Sequence, residues 1–74
     1  MNETKLDDLQ VAAYVMACGY PLLRTEGDRR RTVFVFKDVP EAAIFAYFQE
    51  RDCIPARRLF SALRDLKSLV FQAQ

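Results

Sequence analysis

The chain has 74 residues, of which 51% are hydrophobic and 28% are charged, and its formal net charge is +1. This length accommodates one domain, spanning residues 1–74, and the composition excludes the intrinsically disordered class. The charges alternate in blocks, with net values of −2 for residues 1–23, +3 for 24–37, −3 for 38–52 and +3 for 53–74. Such blocks can form surface patches, although the net charge itself argues neither for nor against a nucleic-acid partner.

The two cysteines, Cys18 and Cys53, form no Cys-x-x-Cys motif, and the sequence contains no histidine. A small secreted domain usually carries four or more cysteines, so we expect free thiols in a cytoplasmic protein of prokaryotic character. The first eight residues are too acidic for a signal peptide. The longest near-apolar run, residues 11–18, is far shorter than the roughly 20 residues that span a bilayer, so no membrane partner is expected.

Helix one is predicted to begin after Asp7, which with Gln10 three residues later forms a capping box. Gly19 suits the position that follows the last turn. Nine of the ten residues from Leu9 to Cys18 are apolar. A helix that is apolar on all sides must be enclosed on all sides, by its own chain or by a partner.

A β-hairpin follows, in which residues 20–23 lead to a two-residue type II′ turn at Gly27-Asp28 and residues 32–36 form the second strand. This register places Arg24 opposite Arg31. The second strand is apolar on both faces and therefore needs cover on both sides. Two strands make a marginal sheet, so we expect a third strand, either from residues 4–6 or from a second copy of the chain.

Two more helices complete the predicted fold. Helix two is expected to start with Asp38 as N-cap and Glu41 three residues later, and to end at about Glu50. Helix three is expected to start near Pro55 and to centre its buried side on Leu63. Its apolar stripe comprises Leu59, Leu63, Leu66 and Val70, flanked by Ala56, Ala62 and Leu69. The predicted class is α+β, a β-hairpin sheet packed by three helices in the order α-β-β-α-α.

One set of residues carries a family resemblance over nearly the whole chain. The set comprises Asp8-Leu9, Ala12-Ala13-Tyr14, Gly19-Tyr20, Leu23, Val33-Phe34-Val35-Phe36, Ala56-Arg57-Arg58-Leu59-Phe60 and Ala62-Leu63-Arg64-Asp65-Leu66-Lys67. With these residues the chain resembles a family of small prokaryotic domains of unknown function. It departs from the family pattern in a longer acidic lead, Leu6-Asp7, before the first helix. The resemblance implies the order of elements but no activity, because the matched positions serve packing, caps and turns.

Candidate catalytic chemistry is sparse. Without histidine, the chain lacks the usual general base near neutral pH. The neighbouring carboxylates Asp7 and Asp8 could hold a cation or exchange protons, but capping of helix one explains them. The only glycines, Gly19 and Gly27, form no phosphate-binding loop. We therefore expect no enzyme, no catalytic residue, no cofactor and no metal site.

Four arginines crowd the predicted hairpin turn, namely Arg24, Arg29, Arg30 and Arg31. Like charges that face each other weaken a hairpin. Either the carboxylates Glu26 and Asp28 neutralise them, or an anion such as phosphate does, because the guanidinium group suits phosphate.

A second basic cluster lies on one flank of helix three. At about 100° per residue, a band about 80° wide contains Arg57, Phe60, Arg64, Lys67 and Phe71. Alternating cations and rings suit a single-stranded nucleic acid, or the acidic surface of a protein partner. The alternative is that the phenylalanines widen the core stripe while the basic side chains extend over it.

These patterns favour binding over catalysis. The leading hypothesis is a protein-interaction module that forms a homodimer, because helix one or the two-faced strand could complete its burial across a two-fold interface. The alternative is a nucleic-acid-binding accessory protein that uses the arginines of the hairpin and of helix three. Steep loss of affinity with added salt would distinguish the second hypothesis from the first.

Overall fold

The computed structural model describes residues 2–28, 30–50 and 52–72. In these ranges helices pack against a three-stranded antiparallel sheet, in which the last strand along the chain lies in the centre. The elements are β1 (Glu3–Leu6), α1 (Leu9–Ala17), β2 (Leu22–Gly27), β3 (Thr32–Lys37), α2 (Glu41–Phe48) and α3 (Ala56–Gln72). The predicted α+β class is confirmed, and one strand precedes the first helix.

Strand β1 supplies the third strand from within the chain. It pairs antiparallel with β3, placing Thr4 opposite Phe36. Two hydrogen bonds between Asn2 and Asp38 extend this pairing beyond the ends of the strands. The backbone nitrogen of Asn2 donates to the Asp38 carboxylate at 2.8 Å, and the backbone nitrogen of Asp38 donates to the Asn2 carbonyl at 2.8 Å. β3 is therefore the central strand, with a paired neighbour on each side.

The hairpin has a different register from the one predicted. Gly27 pairs with Thr32, so four residues connect the strands instead of two. A bulge at Leu23 then shifts the pairing by one further residue. Arg24 consequently lies opposite Val35, and the predicted pairing of Arg24 with Arg31 is wrong.

The connecting loop is organised by Asp28. Its carboxylate accepts hydrogen bonds from the backbone nitrogens of Arg30 and Arg31, both at 3.0 Å. Gly27 adopts φ +87°, and a Cβ at this position would clash with the Arg31 carbonyl oxygen. An aspartate that can bind its own backbone favours this wider loop over a two-residue turn.

The two faces of β3 are covered differently. Phe34 and Phe36 belong to the core that surrounds α1, with exposed fractions of 2% and 0%. Val35 lies on the opposite, outer face and is also 0% exposed. Its neighbours across the strands on that face are Lys5 and Arg24. Both faces of the strand are thus covered within one chain.

Helix α1 is enclosed by its own chain. Asp8 is the N-cap, one residue later than predicted, and its carboxylate accepts from the backbone nitrogens of Gln10 at 2.8 Å and Val11 at 3.2 Å. Gly19, with φ +101°, follows the C-cap as predicted. Six of the nine residues are buried, namely Val11, Ala12, Ala13, Tyr14, Val15 and Ala17.

Helix α2 is shorter than predicted. Pro40 occupies the N-cap position without a side-chain hydrogen bond, and the helix ends at Phe48 rather than near Glu50. Asp38 is no cap, because its backbone has φ +53° and its carboxylate binds Asn2. None of the residues of α2 is buried. Its inner side packs against the core through Ala43, Ile44 and Tyr47.

Helix α3 packs mainly against α1. The predicted apolar stripe is confirmed, but it is centred on Leu66, which is 0% exposed. Leu63 is only partly buried, and Ala56 at the start of the helix is exposed. Leu63 and Leu66 are three residues apart, so their side chains project about 60° apart around the helix axis. The Leu66 side of α3 faces α1, and Leu63 lies toward the edge of that contact.

Candidate interaction surface

The large apolar side chains that remain exposed lie mostly on α2 and α3. The exposed fractions are 58% for Phe45, 63% for Phe48, 63% for Phe60 and 65% for Phe71, with Leu23 at 43% on the sheet. A single exposed apolar residue is ordinary, whereas neighbouring ones on one face indicate an interaction site. The candidate surfaces therefore lie on these two helices.

The outer side of α2 presents two of these phenylalanines. Phe45 follows Glu41 by four residues and precedes Phe48 by three, so the three side chains form one ridge. Ala42 and Gln49 lie beside Phe45, and all five residues are exposed. We call these five residues the α2 face. Around Phe45 the surface forms a shallow depression of about 410 Å³, which Ala42, Ala46 and Gln49 also line.

A row of aromatic rings holds α2 against α1. The Tyr14 and Tyr47 rings lie 5.3 Å apart at an angle of 54°, and the Tyr47 and Phe48 rings lie 5.1 Å apart at 90°. The first pair is tilted and the second is edge-to-face, and aromatic pairs at such distances contribute about 0.5–1.5 kcal/mol each beyond their burial. The row fixes the orientation of the α2 face relative to the core.

The buried end of this row is anchored by a hydrogen bond. The Tyr14 hydroxyl donates to the Asp52 carboxylate at 2.5 Å, which ties α1 to the segment that leads into α3. Burial raises the pKa of Tyr14 well above its usual value, and the bond to Asp52 adds to this effect. The hydroxyl therefore stays protonated near neutral pH and serves as a structural donor.

A cleft of about 240 Å³ lies where α1, α2 and α3 meet. It is lined by Gln10, Ala13, Tyr14, Tyr47, Leu59, Phe60 and Leu63. These side chains offer no carboxylate, thiol or amine to a bound molecule. The cleft can accept an apolar group, and its ionisable side chains are the two tyrosines, Tyr14 and Tyr47.

The hairpin arginines differ in their surroundings, because Arg24 lies on the sheet beside carboxylates whereas Arg30 and Arg31 lie in the loop. Arg24 lies 2.8 Å from carboxylate oxygens of both Glu3 and Glu26. Its hydrogen bonds lower the pKa of each of these carboxyls, and the same bonds raise the pKa of Arg24, Glu3 contributing most. Arg24 is therefore neutralised within the sheet, although the expected partner Asp28 plays no part. Arg30 and Arg31 are exposed in the loop, and Arg29 lies outside the described residues.

The predicted basic flank of helix three is exposed along its length. Arg57, Phe60, Arg64 and Lys67 all lie at the surface of α3, and we call these four residues the α3 flank. The ion pairs found within the described ranges join Glu3, Lys5, Arg24 and Glu26 only, so the cations of the α3 flank have no acidic partner there. The structure thus distinguishes Arg24, which is neutralised on the sheet, from the cations of the α3 flank, which are open on a helix.

The described part of the chain also has features that bear on metal binding, disulfides and membrane crossing. No three histidine, cysteine, aspartate or glutamate side chains in those ranges are arranged to hold a metal ion. Cys18 and Cys53 are free thiols, the first partly buried and the second exposed. Of the helices in the same ranges, none combines the length and the apolar character that crossing a bilayer requires.

The α2 face was not among the residues predicted from the sequence. The signal was present, because Glu41–Phe48 is almost as uniformly apolar as α1 and such a helix needs cover on every side. Sequence alone does not show which of two apolar helices the sheet and α3 will enclose. The fold encloses α1 and leaves one side of α2 open.

Comparison with known proteins places the chain in a family. No match was found among curated proteins, and none among solved structures. The model of one family, described as a domain of unknown function (DUF5659), matches residues 1–72. This agrees with the resemblance to an uncharacterised domain that the sequence carries. The chain therefore belongs to the family described as Domain of unknown function (DUF5659).

Proposed function

We propose that the chain is a small protein-interaction module that forms a homodimer through the α2 face. The strongest support for this proposal is the exposure of the apolar side chains of α2. The helix is apolar around its circumference, yet none of its residues is buried, and Phe45 and Phe48 are 58% and 63% exposed. A second copy that covered this side would remove both rings from water.

The spacing of the α2 face suits a copy of itself. If two α2 helices meet antiparallel about a two-fold axis at Phe45, each residue faces the one equally far on the other side of Phe45. Ala42 then faces Phe48 of the second copy, so a small side chain meets a large one. Glu41 faces Gln49 of the second copy, which can hydrogen-bond it and carries no like charge. Steric and charge complementarity therefore both favour self-association over a chance apolar contact.

The size of α2 sets the expected strength. A helix of eight residues is about 12 Å long, so α2 alone covers less than the roughly 800 Å² per partner of a standard interface. We therefore expect a dimer with a dissociation constant in the micromolar range. Neither α1 nor β3, which suggested a dimer in the sequence, contributes to this interface, because the chain itself covers both.

The proposed role is non-catalytic, in the cytoplasm of a prokaryotic cell. The cleft between the helices is lined mainly by apolar surface, which supports a binding role. The two free thiols are typical of proteins from a reducing compartment.

The test of the α2 face is a charge placed at its centre. In Phe45→Asp the proposed two-fold axis brings two carboxylates together in an apolar contact, so light scattering should report a single chain where the wild type reports a pair. Leu23→Asp is the control, because Leu23 is a similarly exposed apolar residue on the sheet. Equal masses for the two variants would contradict the proposed interface.

A further inference from the structure

Phe60 has no role in the core. It is 63% exposed on the helix that buries Leu66 completely. The two close ring pairs in the described chain are Tyr14–Tyr47 and Tyr47–Phe48, so Phe60 belongs to neither. Its ring lies between the cleft and a crevice of about 370 Å³ that Arg57, Ser61 and Arg64 also line. The expectation that Phe60 widens the core stripe is therefore wrong.

Cations lie on both sides of this ring. Arg57 and Arg64 are seven residues apart, which corresponds to about 10 Å along the helix axis, and Lys67 lies about 5 Å further on. The acidic residue of the same helix, Asp65, projects about 100° away from Arg64. No acidic side chain within the described ranges pairs with any of these three cations, and two of them, Arg57 and Arg64, line the crevice beside the exposed Phe60 ring.

We infer that the α3 flank binds single-stranded nucleic acid, with Arg57, Arg64 and Lys67 contacting phosphates and Phe60 stacking on a base. Cations that follow the backbone and a ring that receives a base are the two requirements of such sites. The Ser61 hydroxyl in the crevice adds a hydrogen-bond donor for a phosphate oxygen. A single strand is favoured over a duplex because base pairing and stacking in a duplex hide the base faces from Phe60.

The hairpin plays no part in this site. Arg24 is held by Glu3 and Glu26, and the sheet that carries it makes no extensive contact with α3. The site is also distinct from the α2 face, so loss of nucleic-acid binding and loss of dimerisation are separately observable.

The experiment measures fluorescence anisotropy of end-labelled mixed-sequence DNA and RNA of about 10 nucleotides, with the full chain as titrant. We expect binding at micromolar concentration in about 50 mM NaCl, weakening with a slope of about −2 in log K against log salt for three contacts. The duplex of the same sequence should bind more weakly. Absence of binding to any single strand at this salt concentration would overturn the inference.

Variants separate the charges from the ring. Arg57→Gln/Arg64→Gln/Lys67→Gln should weaken binding by about 100-fold or more and bring the salt slope near zero. Phe60→Ala should weaken it by about 5- to 150-fold with the slope unchanged, and Phe60→Leu should not restore it, because leucine has no ring to stack. Circular dichroism checks that each variant is folded.

Two controls exclude general attraction between charges. Arg30→Gln/Arg31→Gln removes two exposed cations of the hairpin loop and should leave binding nearly unchanged. Polyglutamate carries charge without bases and should compete poorly. If polyglutamate competes as well as a single strand, or if the hairpin variant loses as much affinity as the α3 variant, the site is not one for single-stranded nucleic acid.

Discussion

Arg24 lies directly opposite Val35 in the pairing of β2 with β3, on the outer face of the sheet, and Val35 is 0% exposed. Lys5 lies opposite the same valine from β1. The aliphatic parts of these two long side chains flank Val35, while their charged ends bind carboxylates: Arg24 binds Glu3 and Glu26, and Lys5 binds Glu26 at 3.2 Å. These four charged residues thus cover the outer face of β3, which would otherwise need a second layer of the fold or a second copy of the chain.

This arrangement predicts that the stem of Arg24 matters more than its charge. Arg24→Ala uncovers Val35 and should lower the melting temperature, whereas Arg24→Met keeps an apolar stem over the valine and should lower it less. Thermal unfolding followed by circular dichroism compares the two. If both variants lower the melting temperature equally, the ion pairs of Arg24, and not the cover of Val35 by its aliphatic stem, account for the loss of stability.

The same carboxylates predict a dependence of stability on pH. The hydrogen bonds of Arg24 lower the pKa of Glu3 and of Glu26 below the usual value of 4.5 in the folded chain. Their contribution is therefore complete above about pH 4.5 and is lost as the pH falls through the lowered pKa values. Urea midpoints between about pH 6 and pH 3 should fall less steeply for Glu3→Gln/Glu26→Gln than for the wild type. Parallel curves would mean that these ion pairs contribute nothing measurable.

The order and class of the elements could be predicted because they depend on local patterns. The apolar period of α3, the glycine after α1 and the alternation of strand residues are properties of short segments. The hairpin register could not be predicted, because Gly27-Asp28 permits a tight turn and only the side chain of Asp28 closing the loop excludes it. The cover of Val35 depends on β1, whose pairing joins residues 28 to 34 positions apart.

The centre of the core on α3 gives a sharper stability prediction. Leu66 is fully buried, so Leu66→Ala should lower the free energy of unfolding by about 2–5 kcal/mol, a large share of the stability of so short a chain. Leu63→Ala should cost less, because Leu63 is only partly buried beside the cleft. Denaturant titration gives both values. If Leu63→Ala lowers the free energy of unfolding more than Leu66→Ala does, the buried side of α3 is centred on Leu63, as the sequence pattern alone predicted.

The candidate surfaces were predicted less completely than the fold. The α3 flank follows from helical geometry alone, and the structure places its four residues together at the surface. Of the two alternatives for the hairpin arginines, neutralisation by Glu26 holds for Arg24. The further partner Glu3 could not be predicted, because β1 and the bulge at Leu23 are tertiary features. The open side of α2 depends on which helix the rest of the chain encloses.

A compensating exchange tests the packing proposed for the α2 face. Ala42→Phe should weaken association by placing a ring against Phe48 of the second copy, and Phe48→Ala should weaken it by leaving a gap. The double variant Ala42→Phe/Phe48→Ala exchanges small and large positions and should recover most of the affinity. Sedimentation velocity measures all three. If the double variant is weaker than both single variants, the two residues do not face each other across a two-fold axis.

The mass of the wild-type chain in solution tests the proposed homodimer most directly. Sedimentation equilibrium over a range of micromolar concentrations should give a mass that rises from that of one chain, 8.6 kDa, toward twice that value. The melting temperature should rise with concentration over the same range, because association stabilises the folded chain. A mass of 8.6 kDa at every concentration up to the millimolar range would contradict the proposal.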